Sequence, residues 1–166
     1  MLYFLMLLIN IYIEQPKPLT AESQVVHNLI VVGEQPQLSF EVSTLEKSSD
    51  LYSEEEIRLI AAVTIAEAEG EPEEGQRLVI DTILNRVDSS YFPDTVYDVI
   101  YQKNQFSCMW DGRFERIEST AEMCELVREE ILSRLDSDVI FFTAGQYSRY
   151  GVPLYQVGNH YFSSYG

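Results

Sequence analysis

Three glutamates alternate in the segment AEAEGEP, residues 66–72, and no other stretch of the chain is better equipped for proton chemistry. A carboxyl group that gives up a proton and takes it back is the core of a general acid–base catalyst, for example one that protonates a glycosidic oxygen. Helical spacing separates the three. Glu67 extends the column Glu56, Ile60, Val63, which carries an apolar stripe into a core. Glu69 extends the column Arg58, Ala62, Ile65, whose first member is charged and expected to face water. Glu71 falls beyond Gly70, a residue suited to stopping a helix. Glu67 is therefore the candidate catalytic carboxyl. Taken by spacing alone, the same pattern also fits a solvated, acidic helix end.

The elements that must position Glu67 are legible around it. Ser53 followed by Glu56 is a capping box, and the run Ile57 to Ala66 is apolar on nearly all sides, which predicts a central, buried helix. Gly70 and Pro72 end it. A second helix is expected over about 73–87, with Leu78, Val79, Ile83, Leu84 and Val87 inward. A short third helix is expected over about 95–101. A fourth is expected over about 119–135, with Met123, Leu126, Val127, Ile131 and Leu132 inward. Residues 102–114 read as a loop. Residues 139–143 and 159–163 read as two short strands, joined by a loop containing Gly145, Gly151, Pro153 and Gly158.

Composition narrows the function classes. Lys and Arg number 11 against 27 Asp and Glu, a net charge of -16. Nucleic acid and anionic lipid both call for a basic surface, so neither is an expected partner. Two histidines, His27 and His160, and two cysteines, Cys108 and Cys124, are too few and too scattered for an ordinary zinc site. No metal and no cofactor is expected. Residues 2–13, LYFLMLLINIYI, are too short for a membrane span but suit a signal-like core or a short anchor. Residues 14–50, with Pro16, Pro18 and Pro36, read as a linker with room for a short strand near Leu29–Val32. A catalytic domain is expected over 51–166, in a monomer that is exported or membrane-tethered.

The motifs AEAEGEP (66–72), ILNRV (83–87), VIYQ…QFS (99–107) and VGNHYF (157–162) resemble the cell-wall hydrolase family of the bacterial spore cortex-lytic enzymes, in order and in approximate spacing. The resemblance covers about residues 56–164. It implies an α+β, mainly α fold: a lysozyme-like helical domain with a small antiparallel sheet. It implies peptidoglycan as substrate, lytic cleavage between N-acetylmuramic acid and N-acetylglucosamine, and Glu67 as the catalytic glutamate. The family often carries a basic residue where this chain has Glu69, so the charge around Glu67 departs from its pattern.

Within that reading, the loop residues Gln102, Gln105, Phe106, Ser107 and Trp110 suit a sugar, since aromatic faces stack on pyranose rings and amides bond hydroxyls. Tyr147 and Tyr155, with Asn159 and His160, are further candidates to line a glycan groove. Hydrolytic glycosidases pair two carboxyls across the scissile bond, and only the loop residues Asp94 and Asp111 offer themselves as a second acid. A single Glu can instead serve lytic transglycosylation. Two alternatives stay open. One is an amidase or cysteine peptidase acting on stem peptides, with Cys108 and His160 as its pair; the other is a wall-binding module without activity.

Overall fold

The computed structural model describes residues 51–166. The readings made for 1–13 and 14–50 lie outside the described residues. Helix α1 spans Glu54–Ala68 and forms the middle of the domain. Its capping box is complete. The Ser53 hydroxyl accepts the Glu56 amide, and the Glu56 carboxylate accepts the Ser53 amide at 2.8 Å. Three glutamates in the first turn suit the positive end of the helix dipole. Ile57, Ile60, Ala61, Val63 and Ala66 are buried in the main apolar cluster, against α2 (Glu73–Asp88), α3 (Val96–Ile100) and α4 (Ala121–Leu132). Burying a fully apolar stripe of this kind is the main stabilising term of such a domain.

Helix α4 stops at Leu132, three residues earlier than expected. Nearby carboxylates compete for the next amides. Leu135 N–H donates to Glu130 Oε2 at 2.7 Å, and Asp136 N–H donates to Asp81 Oδ2 at 2.8 Å. The chain thus turns back over α2 before entering the sheet. The ILNRV motif fixes that return. Asn85 Nδ2 donates to the carbonyls of Asp136 and Val139, and Arg86 Nε donates to Ile140 O at 2.9 Å. The buried Arg86 guanidinium also stacks over Phe92 and Phe106.

The sheet has three antiparallel strands: β1 (Val139–Ala144), β2 (Val152–Val157) and β3 (His160–Ser164), in the order β1-β3-β2. The expected pair, β1 and β3, is present. Strand β2 stands where the sequence pointed to loop, because it is a largely exposed edge carrying Pro153 between glycines and so lacks an inward–outward alternation. A second, smaller apolar cluster under the sheet joins Ala68, Leu78, Val79, Val139 and Phe162, and Phe142 packs against both clusters.

The α1–α2 elbow is tied to the sheet at one point. Strands β2 and β3 meet at a two-residue turn, Gly158–Asn159, with Gly158 at φ 57. Glu71 grips that turn: Asn159 N–H donates to Oε2 at 2.8 Å and Asn159 Nδ2 to Oε1 at 3.1 Å. A Cβ at position 158 would run into the same carboxylate, so glycine is required there by space as well as by φ.

Candidate active site

Glu67 emerges from the last turn of α1 at the base of an open cleft of about 520 Å³. One wall is the loop after α3, which contributes Asn104, Gln105, Ser107, Trp110 and Asp111. The other is the sheet, through Phe142, Thr143 and Ala144 of β1 and His160 of β3. The helical phasing read from sequence matches this geometry: the Glu67 side chain is 11% exposed, and Glu69 points to solvent.

Donors converge on one Glu67 oxygen. Cys108 N–H donates to Oε1 at 2.7 Å, the Ser107 hydroxyl reaches Oε1 at 3.2 Å, and Arg113 Nη2 lies 3.7 Å away. Among the described residues, Oε2 has only the Ser107 hydroxyl, at 3.3 Å. The loop supplies these groups because Phe106 is driven fully into the core, which turns Ser107–Met109 into a single 3-10 turn that aims the Cys108 amide at the helix end. Asn104 holds a left-handed φ of 65 just before it, a conformation Asn tolerates better than most residues. Asp111 is in the cleft, but both of its oxygens are engaged: Oδ1 accepts the Arg113 amide at 3.0 Å and Oδ2 accepts Arg113 Nε at 2.8 Å. These bonds hold its carboxyl below the usual carboxylate range.

Of the residues expected to meet a substrate, Gln105, Ser107, Trp110 and His160 come together with Glu67. Five lie elsewhere. Phe106 is completely buried, as its aromatic ring completes the core between α2 and the sheet. Gln102 is half-buried behind the loop. Tyr147 packs edge-on against Tyr161 beside the sheet. The Tyr155 hydroxyl donates to Asp136, away from the cleft. Asn159 is spent on Glu71. Asn104, Phe142, Thr143 and Arg113 were not singled out from sequence. For Phe142 the available signal was the alternation of β1, which sends it to the same face as Ala144 and gives none for Thr143; Arg113 had only its place in an Asp-Gly-Arg turn.

Cys108 also sits beside Glu67, but it is fully buried. Burial first, and the Glu67 carboxyl after it, push its thiol up to about 12. A buried, protonated thiol is a poor nucleophile, which counts against a Cys108–His160 peptidase pair. His160 is itself 6% exposed and packed between Phe142 and Phe162, with Nδ1 lacking a hydrogen-bond partner among the described residues.

The domain is thus a helical body with a small antiparallel sheet, and a glutamate cradled by loop donors stands at the foot of the cleft between them. A family model described as Cell Wall Hydrolase matches residues 70–163, and the chain belongs to that family. The match begins just past Glu67 and takes in both walls of the cleft. The chain is 47% identical over 62 residues to a spore cortex-lytic enzyme of Oceanobacillus iheyensis, a stretch covering 37% of this chain and 22% of that one. A spore cortex-lytic enzyme of Bacillus subtilis is 42% identical over 62 residues, covering 37% and 20%. The match therefore spans only about a fifth of the length of these curated relatives. The crystal structure of the catalytic domain of the Bacillus cereus SleB protein aligns with a TM-score of 0.60 at 28% identity, over 68% of this chain and 92% of that one. The catalytic domain of the germination-specific lytic transglycosylase SleB from Bacillus anthracis aligns with a TM-score of 0.59 at 26% identity, over 69% and 98%.

Proposed function

We propose that this domain cleaves peptidoglycan glycan strands between N-acetylmuramic acid and N-acetylglucosamine, as a lytic transglycosylase with Glu67 as its acid and base. The observation that carries this reading is the carboxyl inventory of the cleft: Glu67 has one oxygen held by donors and one nearly free, while among the described residues the only other acid lining the cleft, Asp111, is pinned by Arg113. Hydrolysis by a carboxyl pair needs a second group free to activate water or attack the sugar, and Asp111 is committed elsewhere.

The chemistry then runs through one side chain. Glu67 gives its proton to the glycosidic oxygen, and the bond from that oxygen to muramic C1 breaks. The resulting carboxylate takes the proton of the muramic C6 hydroxyl as that oxygen closes on C1. The fragments are a free hydroxyl on the N-acetylglucosamine side and a 1,6-anhydro-muramic end, with no water consumed. An internal hydroxyl held near C1 outcompetes water through its effective concentration. Trp110, 58% exposed at the cleft, offers a face for a pyranose ring, and Gln105, Asn104 and His160 offer polar contacts.

Three kinds of support bear on this reading: membership in the cell-wall hydrolase family, the named activity of the Bacillus anthracis neighbour, and the cleft geometry. Action on the wall places the domain outside the membrane. The apolar run at 2–13 would supply the export signal or tether; among the described residues no helix is long and apolar enough to cross a membrane. The test is mass spectrometry of peptidoglycan digested by the protein. Fragments ending in 1,6-anhydro-muramic acid, lighter by one water than hydrolytic products, are expected; reducing ends alone would make the domain a muramidase and require a second acid.

A further inference from the structure

The guanidinium of Arg113 bridges the end of α1, the Ser107 hydroxyl and Asp111 beside Glu67. Nη1 donates to Ala66 O at 2.7 Å, one of the carbonyls left open at the end of α1. Nη2 donates to Ser107 Oγ at 2.6 Å and lies 3.7 Å from Glu67 Oε1, and Nε is bonded to Asp111 at 2.8 Å. All five guanidinium protons are donors, so Ser107 can only accept from Arg113. A serine hydroxyl that accepts in this way has its single proton left for another partner, and the groups it faces are the two Glu67 oxygens at 3.2 and 3.3 Å.

We propose that Arg113 is the positioning residue of the reaction: it fixes the Ser107 hydroxyl as a donor to Glu67, reserves Oε1 for fixed donors, and leaves Oε2 as the oxygen that carries the catalytic proton. This rests on the reading of Glu67 given above. Arg113 does not touch the substrate's reacting atoms. It acts through Ser107 and through its charge, which steadies the Glu67 carboxylate once the proton has gone to the leaving oxygen. That stabilisation is larger after proton transfer than before it, so it serves the chemical step rather than binding. Asp111 completes the device by holding the guanidinium in place. Arg113 sits on an exposed turn and is 43% accessible, so its loss leaves the core intact.

The experiment measures turnover on soluble glycan fragments for the full chain and for Arg113→Ala, Ser107→Ala, the double variant and Glu67→Gln. Arg113→Ala should lower kcat roughly 10-fold or more with KM changed by less than about threefold, because a displaced reacting group costs rate rather than affinity. If Arg113 acts through Ser107, the double variant should be no worse than Arg113→Ala alone. Guanidinium ion, added well below denaturing concentration, should restore part of the rate to Arg113→Ala and none to Ser107→Ala. A folded Arg113→Ala enzyme with wild-type kcat, a loss confined to KM, losses that multiply in the double variant, or no rescue would each overturn the proposal. An active Glu67→Gln enzyme would instead bring down the reading of Glu67 itself; a dead Glu67→Gln beside a normal Arg113→Ala removes only Arg113.

Discussion

Two groups of carboxyls share this domain and are built in opposite ways. Around Glu67, donors from a loop gather on one oxygen and the other faces a cleft. Around Asp81, acid meets acid. Asp81 and the buried Glu130 face one another across α2 and α4, the Asp136 amide caps Asp81, and Asp136 itself receives the Tyr155 hydroxyl of β2. Burial, and beyond it the Glu130 carboxyl, push Asp81 up to about 8. Perturbed acidity is often used to locate an active site, and here that rule points at Asp81. Its neighbours do not: Asp81 is fully buried, does not line the Glu67 cleft, and ties α2 to α4 and to the segment entering the sheet. A shifted carboxyl can mark a joint, and a reacting one is recognised by an oxygen left free over open space.

The two groups of carboxyls should differ most in their response to substitution at Glu67. Glu67→Gln keeps the shape and loses the proton, so glycan cleavage should fall about 10²-fold or more while thermal unfolding is unchanged. Near-normal turnover would sink the assignment. The second group answers in the opposite currency. Glu130 is buried, accepts Arg77 Nη1 at 2.6 Å and the Leu135 amide at 2.7 Å, and Glu130→Ala should cost on the order of 3 kcal/mol in urea unfolding while the folded enzyme still cleaves. An unchanged unfolding midpoint would show that the cluster is no joint.

Asp81→Asn sharpens the contrast through pH. Burial and the facing Glu130 carboxyl keep the Asp81 proton on the folded chain well above the ordinary value of 3.8 at which the unfolded chain releases it, up to about 8. Between those values the folded state binds the extra proton, so this group's stabilising contribution is complete at acid pH, declines as pH rises, and is gone above the folded value. Asn keeps the acceptor for Asp136 and supplies the donor toward Glu130 without titrating. The melting temperature of Asp81→Asn relative to wild type should therefore climb between about pH 5 and pH 8; a constant difference would count against it. The smallest effect is expected at Glu69, which is exposed on the far side of α1 from the cleft: Glu69→Gln should stay within about twofold of normal activity. A dead Glu69 variant beside an active Glu67 variant would reverse the helix phasing.

Periodicity made the frame of this site readable and closure of the loop did not. Ser53, Glu56 and the all-apolar run behind them specify α1 locally, and the same spacing separates Glu67 from Glu69. The contributions of 102–116 depend on where the loop lands. Phe106 looks like a sugar platform in sequence and is a core anchor in space; Tyr155 and Asn159 look like groove residues and are bound to Asp136 and Glu71. Arg113 was illegible for the same reason, since its partners Ala66 and Ser107 become neighbours only after the loop folds onto the helix end.

The grip of Glu71 on the Gly158–Asn159 turn works as a clasp between two arms. Glu67 stands four residues before it on one arm, and His160 follows directly on the other. The spacing between those arms at their hinge is thus gauged by one carboxylate and one asparagine. Burial works against the charged form of Glu71, yet the Asn159 bonds and the nearby His160 hold its carboxyl below the ordinary value. The clasp is shut across and above the usual carboxylate range and opens only as pH falls through that lowered value. The aperture of the cleft should accordingly hold its width in mildly acidic surroundings, where an ordinary surface carboxylate contact would already have begun to slacken.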